Sequence, residues 1–157
     1  MELTILGRGK SKELCKFDTE TWATVSILGD EGFRDKPYSK LFIFDNPSDV
    51  QWERVNYAKT KGITVIGRSR FDFVDEKYPK NEIIKRFNTL FFVNSASHML
   101  ALAIHKGYDH LHLLGFDPTD RKGYNLTRKY ITFWLGVADG MGVKWDTTKE
   151  CYGWFFE

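Results

Sequence analysis

Residues Asn88–Pro118 read NTLFFVNSASHMLALAIHKGYDHLHLLGFDP. The polar-small run Asn94-Ser95-Ala96-Ser97 opens a segment that is apolar nearly all round, which predicts a central, buried helix over 96–106. Gly107 ends it. Asp109–Leu114 then reads as a short strand that stops at Gly115-Phe116-Asp117-Pro118. Leu90–Val93, ahead of the helix, is either a further strand or an apolar lead-in. A buried helix, a glycine, a strand and a small-acidic turn make up the second half of a βαβ unit.

The same alternation extends in both directions. Leu3–Leu6 is a strand candidate that runs into Gly7-Arg8-Gly9-Lys10-Ser11, with Ser11 placed to cap a short helix through Cys15. Trp22–Leu28 reads as a second strand ending at Gly29-Asp30. Lys40–Asp45 is a third, stopped by Asn46-Pro47. A helix over 49–61 follows, capped by Ser48 or Asp49 and closed by Gly62, and Ile63–Ile66 is a fourth strand. The charged segment 70–88 predicts a loop and one short helix around 81–87. Residues 126–141 carry Tyr130, Phe133, Trp134, Val137 and Met141 at helical spacing. Gly142 closes that helix, and Val143-Lys144-Trp145 starts a last extended piece. The whole of 1–157 therefore reads as a single α/β domain, a Rossmann-like three-layer αβα arrangement on a mostly parallel sheet.

Composition excludes several classes. The formal charge is only +2, which argues against a duplex-DNA binder, and the interspersed acidic residues argue against a nucleic-acid groove. No apolar run approaches a membrane span, and MELTILGRGK lacks the features of a signal peptide, so a cytoplasmic protein is expected. Two cysteines, Cys15 and Cys151, are too few for a disulfide scaffold and read as reduced structural thiols. Aromatics reach 16%, with 5 Trp, 7 Tyr and 13 Phe. Those in periodic segments build core. Those around Phe71–Tyr78 and in the tail Tyr152-Gly153-Trp154-Phe155-Phe156 do not fit a periodic element. The tail is expected to fold back over the site or to seal a homo-oligomer.

In an open parallel sheet, ligands bind beyond the carboxyl ends of the strands. The small and acidic residues that end the strands here therefore gather at one edge. Gly7-x-Gly9-Lys10-Ser11 reads either as a plain turn or as a phosphate cradle with Lys10 adding charge, although it matches neither the dinucleotide nor the Walker spacing. Asn94, Ser95 and Ser97 read as helix caps, as phosphate contacts, or as both. Asp117 caps its loop or serves the site. Asp120, Arg121 and Lys122 follow in a polar loop, where the two cations are solvated or clamp phosphate. His98, beside the helix start, is a candidate acid or base, whereas His105 and His110 read as surface residues and His112 as a face or core histidine. No zinc-type spacing such as H-x-x-x-H or C-x-x-C occurs, so no resident metal is expected. A magnesium ion carried by phosphates and touched by Asp30, Asp45 or Asp117 is compatible with the pattern.

The run NTLFFVNSASHMLALAIHKGYDHLHLLGFDP, the opening strand with Gly7-x-Gly9-x-Ser11, and the closing Gly142-Val143-Lys144-Trp145 together resemble the sialyltransferase-like superfamily. That group includes CMP-sialic-acid-dependent sialyltransferases and 6-hydroxymethylpterin diphosphokinase (MptE)-like proteins. The likeness covers both ends and the middle and leaves 67–88 unmatched. It implies that Gly7, Gly9 and Ser11 lie at nucleotide phosphates, and that Gly29 and Asp30 lie near phosphate or sugar. It further implies that Asn94, Ser95, Ala96 and Ser97 border the nucleotide and that Asp117 closes the pocket. Two departures stand out: no histidine follows His112, where such transferases place a base, and Asp30 replaces an asparagine. The expected function is nucleotide-dependent glycosyl transfer with a CMP-type donor, with Asp117, Asp120 or His98 as base. Phosphoryl transfer is the other enzymatic reading. The alternative is a non-catalytic, phage-type, oligomeric protein that binds a nucleotide or nucleotide-derived signal.

Overall fold

The computed structural model describes residues 1–117 and 124–156, with the backbone alone over 124–126. Seven strands form one sheet: β1 (Glu2–Leu6), β2 (Glu20–Thr24), β3 (Lys40–Ile43), β4 (Thr64–Gly67), β5 (Glu76–Lys77), β6 (His110–Leu114) and β7 (Lys144–Thr147). Their order is β5-β4-β3-β2-β1-β6-β7, and every pairing is parallel. The α-helices among the described residues are α1 (Asp49–Thr60), α2 (Lys80–Phe87), α3 (Ser95–Lys106), α4 (Tyr124–Gly140) and, after the last strand, α5 (Lys149–Phe156).

Both sheet faces are apolar, as a parallel sheet between helical layers requires. On one face Leu3, Ile5, Trp22, Phe42, Ile66, Leu111 and Leu113 pack against α2 to α5. On the other, Leu6, Ala23, Leu41, Ile43 and Val65 meet Val55 and Ala58 of α1. The three-layer α/β reading therefore holds. Within α3, every residue from Met99 to Ile104 is buried, and Gly107 ends the helix in the left-handed region at φ 86°.

Several elements differ from the sequence expectation. The second strand stops at Thr24, and Val25–Gly29 winds into a 3₁₀ helix. Winding lets Val25, Ile27 and Leu28 all reach the α1 face, whereas an extended chain would send Val25 and Leu28 to opposite faces. Residues Lys10–Leu14 also form a 3₁₀ helix, with Gly9 rather than Ser11 at its cap. Leu90–Val93 is a lead-in: Phe92 alone is buried, and the sheet edge is taken by β5. The buried stripe of α4 is Ile131, Trp134, Leu135 and Ala138, one position round from the predicted stripe. Phe133 and Met141 stay exposed, and Phe133 and Tyr130 turn instead to Phe91. The aromatic tail is α5, which folds back and buries Cys151 and Phe155 in the core. Both cysteines are free thiols. Among the described residues, no helix is long and apolar enough to cross a membrane.

Candidate functional site at the carboxyl edge of the sheet

Chain direction across the sheet reverses at β1, which pairs with β2 on one side and with β6 on the other. Crevices for ligands open at such reversals. Here the two loops that meet there are tied together. The Gly7 amide donates to the Leu114 carbonyl at 2.8 Å and the Gly9 amide to the Gly115 carbonyl at 2.7 Å. A Cβ on Gly7 would lie 2.3 Å from the Gly115 oxygen, and one on Gly9 would lie 2.5 Å from Asp117 Oδ2. The two glycines are thus required by the approach of one loop to the other. Ser11 closes the tie: its amide and its Oγ each donate to Asp117 Oδ2 at 2.7 Å, and its Oγ accepts from the Gly115 amide at 2.8 Å. Cys151 of α5 places its Sγ 3.8 Å from Asp117 Oδ1.

The next position along the edge is Asp30. Arg8 Nε donates to both its oxygens at 3.1 and 3.2 Å, and Lys12 Nζ lies 3.4 Å away. Burial raises the Asp30 pKa, but the Arg8 and Lys12 interactions outweigh it and hold the carboxyl below its ordinary value. The Arg54 guanidinium lies over Gly29, in the space a Cβ would take. Lys10 is exposed.

Beyond the ends of β3 and β4 lies a cavity of about 380 Å³, lined by Phe44, Arg68, Arg70, Tyr78, Lys80, Phe92 and His98 among others. Its size falls in the range of small-molecule sites. His98 stacks on Phe44 at 4.2 Å between ring centres, with Tyr78 and Phe92 edge-on at 5.0 and 5.1 Å. Its Nδ1 is 2.7 Å from the Asn94 carbonyl, so Nδ1 carries the proton of the neutral ring. Burial is the main cause that lowers its pKa, to about 4; the Asn94 hydrogen bond opposes this, and the charges of Lys80 and Arg68 add to it. Arg70 donates to Asn46 Oδ1 at 3.0 Å. Among the described residues, Arg68, Arg70 and Lys80 form no ion pair with a carboxylate.

The start of α3 borders this cavity. Asn94 Oδ1 accepts from the Ser97 amide at 2.8 Å, a cap of the expected kind. Ser97 is fully buried; its Oγ donates to the Asn94 carbonyl and accepts from the Val93 amide. The Asn94 amide nitrogen Nδ2 is buried and has no hydrogen-bond partner among the described residues.

The structure thus sorts the sequence-predicted residues into three neighbouring groups along one edge. Gly7, Gly9, Ser11 and Asp117 form the loop tie. Gly29 and Asp30 sit with Arg54, Arg8 and Lys12. His98 lines the cationic cavity, and Asn94, Ser95 and Ser97 form the start of the helix that carries it. Asp120, Arg121 and Lys122 lie outside the described residues. Sequence reading passed over Arg68, Arg70 and Lys80. Gly67-Arg68 at a strand end is the available signal for the first; Arg70 follows in the same turn, and Lys80 reaches the same opening as the first residue of α2.

No protein-family model and no curated protein sequence matches the chain. Solved structures do. The sialyltransferase CstII from Campylobacter jejuni, in complex with the substrate analogue CMP-3FNeuAc, superposes with a TM-score of 0.69 at 15% identity, covering 99% of this chain and 84% of that one. The same enzyme with cytidine-5'-monophosphate gives a TM-score of 0.65 at 14% identity, covering 98% and 83%. A structure of an alpha-2,3/8-sialyltransferase CstII variant gives 0.69 at 16%, covering 99% and 85%. With the parallel seven-stranded sheet and its helical layers, these superpositions give the chain a sialyltransferase-like, Rossmann-like fold.

Proposed function

We propose that this protein binds a CMP-type nucleotide or nucleotide-sugar along the carboxyl edge of its sheet, and that it is a glycosyltransferase-like protein. The observation that carries this reading is the positive charge of Arg68, Arg70 and Lys80, unpaired with any carboxylate among the described residues, around an aromatic-walled cavity. Cations without carboxylate partners beside a stacking surface suit an anionic, ring-bearing ligand. From the loops at β6 to those at β4 the edge spans four strand spacings, roughly 19 Å, room for a nucleotide with a linked sugar. Solved structures of the same fold hold CMP and a CMP-sugar analogue.

In transfer, the bond between the sugar's anomeric carbon and the phosphate oxygen breaks and CMP leaves with the electron pair. The new bond forms to an acceptor hydroxyl oxygen, whose proton passes to a base. Arg68, Arg70 and Lys80 would stabilise the departing phosphate. Asp120 is a candidate for the base. The other two candidates favour a second reading, binding without turnover. Asp117 Oδ2 already accepts two hydrogen bonds, and His98, with its pKa lowered to about 4, is a weak base at neutral pH.

Calorimetry with CMP, UMP, AMP and a CMP-linked sugar tests the reading. CMP and its sugar conjugate are expected to bind best. Arg68→Ala and Arg70→Ala are expected to lower affinity about tenfold or more. Absence of binding by any nucleotide overturns the proposal. Intact recovery of the bound CMP-sugar after long incubation selects the second reading over the first.

A further inference from the structure

The opposite end of the sheet carries a different cluster. His110 and His112 alternate on β6 and so point to one face, with Leu111 buried on the other. Register places Glu2 of β1 beside His110, and Asp146 of β7 beside His112. Three adjacent strands thus set two imidazoles between two carboxylates on a half-exposed sheet face. We propose that Glu2, His110 and His112 bind a divalent transition-metal ion of the Zn²⁺ class, with Asp146 orienting both imidazoles.

The hydrogen bonds assign the ring nitrogens. His110 Nε2 is 2.7 Å and His112 Nδ1 2.8 Å from Asp146 Oδ2. A carboxylate only accepts, so these two nitrogens carry the protons of the neutral rings. That leaves His110 Nδ1 and His112 Nε2 bare, and these are the nitrogens that face Glu2, at 3.8 and 3.6 Å from its two oxygens. Such separations are too long for hydrogen bonds. They are close to the roughly 3.4 Å between ligand atoms around a tetrahedral ion with bonds near 2.0–2.1 Å. One ligand atom from each of Glu2, His110 and His112 can be chosen so that all three lie within 4.8 Å of one another. A carboxylate that holds the far nitrogen of each ligating histidine is the arrangement that fixes tautomer and ring direction in metal sites. The rings are 4.3 Å apart, near enough to share one ion. Glu2, His112 and Asp146 also line a solvent-open cavity of about 390 Å³ with Lys16, Asp18 and Thr19. Three protein ligands would leave the ion a position open to water from that side.

H-x-H is not among the helical and loop spacings usually read as metal motifs, and the histidines gain their partners only through strand register. The test is calorimetric titration of tag-free, chelator-stripped protein with ZnCl₂, together with the visible spectrum of the Co²⁺-loaded protein. One ion per chain is expected, with a tetrahedral Co²⁺ spectrum. His110→Ala and His112→Ala should each abolish the spectrum. Asp146→Asn should weaken Zn²⁺ binding about 10–100-fold. His105→Ala, on α3, should change neither, and circular dichroism checks that every variant is folded. The proposal is overturned if no ion binds, if His112→Ala binds as the parent does, or if His105→Ala loses as much as His112→Ala.

Discussion

Gly115 and Gly142 both adopt the left-handed region, at φ 77° and 73°, yet their surroundings differ. Around Gly142 a Cβ would meet nothing within 4 Å, so Gly142→Ala should cost only the backbone strain, about 1–2 kcal/mol. At Gly115 a Cβ would lie 2.3 Å from the Gly7 oxygen, and Gly115→Ala should cost roughly 3 kcal/mol or more. Urea unfolding of the two variants compares them directly, and equal costs would contradict the close approach of the loops. His98 makes a second prediction. Its pKa is about 4 in the fold against an ordinary value of 6.5. Between these values the unfolded chain takes up a proton that the folded one refuses. The contribution is therefore whole above pH 6.5 and lost as pH falls toward 4, on the order of 3 kcal/mol. Urea midpoints measured across that window should fall with pH less steeply in His98→Phe than in the parent.

Among the elements, the tie between the β1 and β6 loops rests on Ser11. Ser11→Ala removes the Oγ that accepts from Gly115 and donates to Asp117, leaving a buried amide without its partner. A loss of about 1–3 kcal/mol is expected in thermal or urea unfolding. A neutral result would show that the loops hold without it. Helix α4 shows how far a periodic stripe carries. Trp134 belongs to both the predicted and the observed stripe, so the helix and its general facing were legible. Tyr130 and Phe133 instead meet Phe91, an aromatic on a segment whose path no local pattern specifies.

Across the whole molecule, the C-terminal helix completes the core. Phe155 is 2% exposed and shares a cluster with Trp134, Ile131 and Leu113. Phe155→Ala should cost about 3–5 kcal/mol, read as a lowered urea midpoint. An effect below 1 kcal/mol would mean that α5 is peripheral. The same helix brings Cys151 to Asp117, so the tail does reach the carboxyl edge, through a thiol rather than through an aromatic ring. Tyr152 and Phe156 instead gather around Trp145 at the surface.

The alternation of short apolar runs with helical segments was enough to establish a parallel α/β sheet, its helices and the edge where its loops collect, because burial periodicity and glycine stops are local properties of the chain. The glycines at 7 and 9 were also conspicuous locally, but their reason is not local: it is the backbone of a loop more than a hundred residues away. Lys80, at the start of α2, joins Arg68 and Arg70 in one cationic rim only once the chain is folded, and Glu2, His110, His112 and Asp146 become one cluster only when strand order and register set them side by side. Separation along the chain carries no information about those distances; pairing across the sheet does.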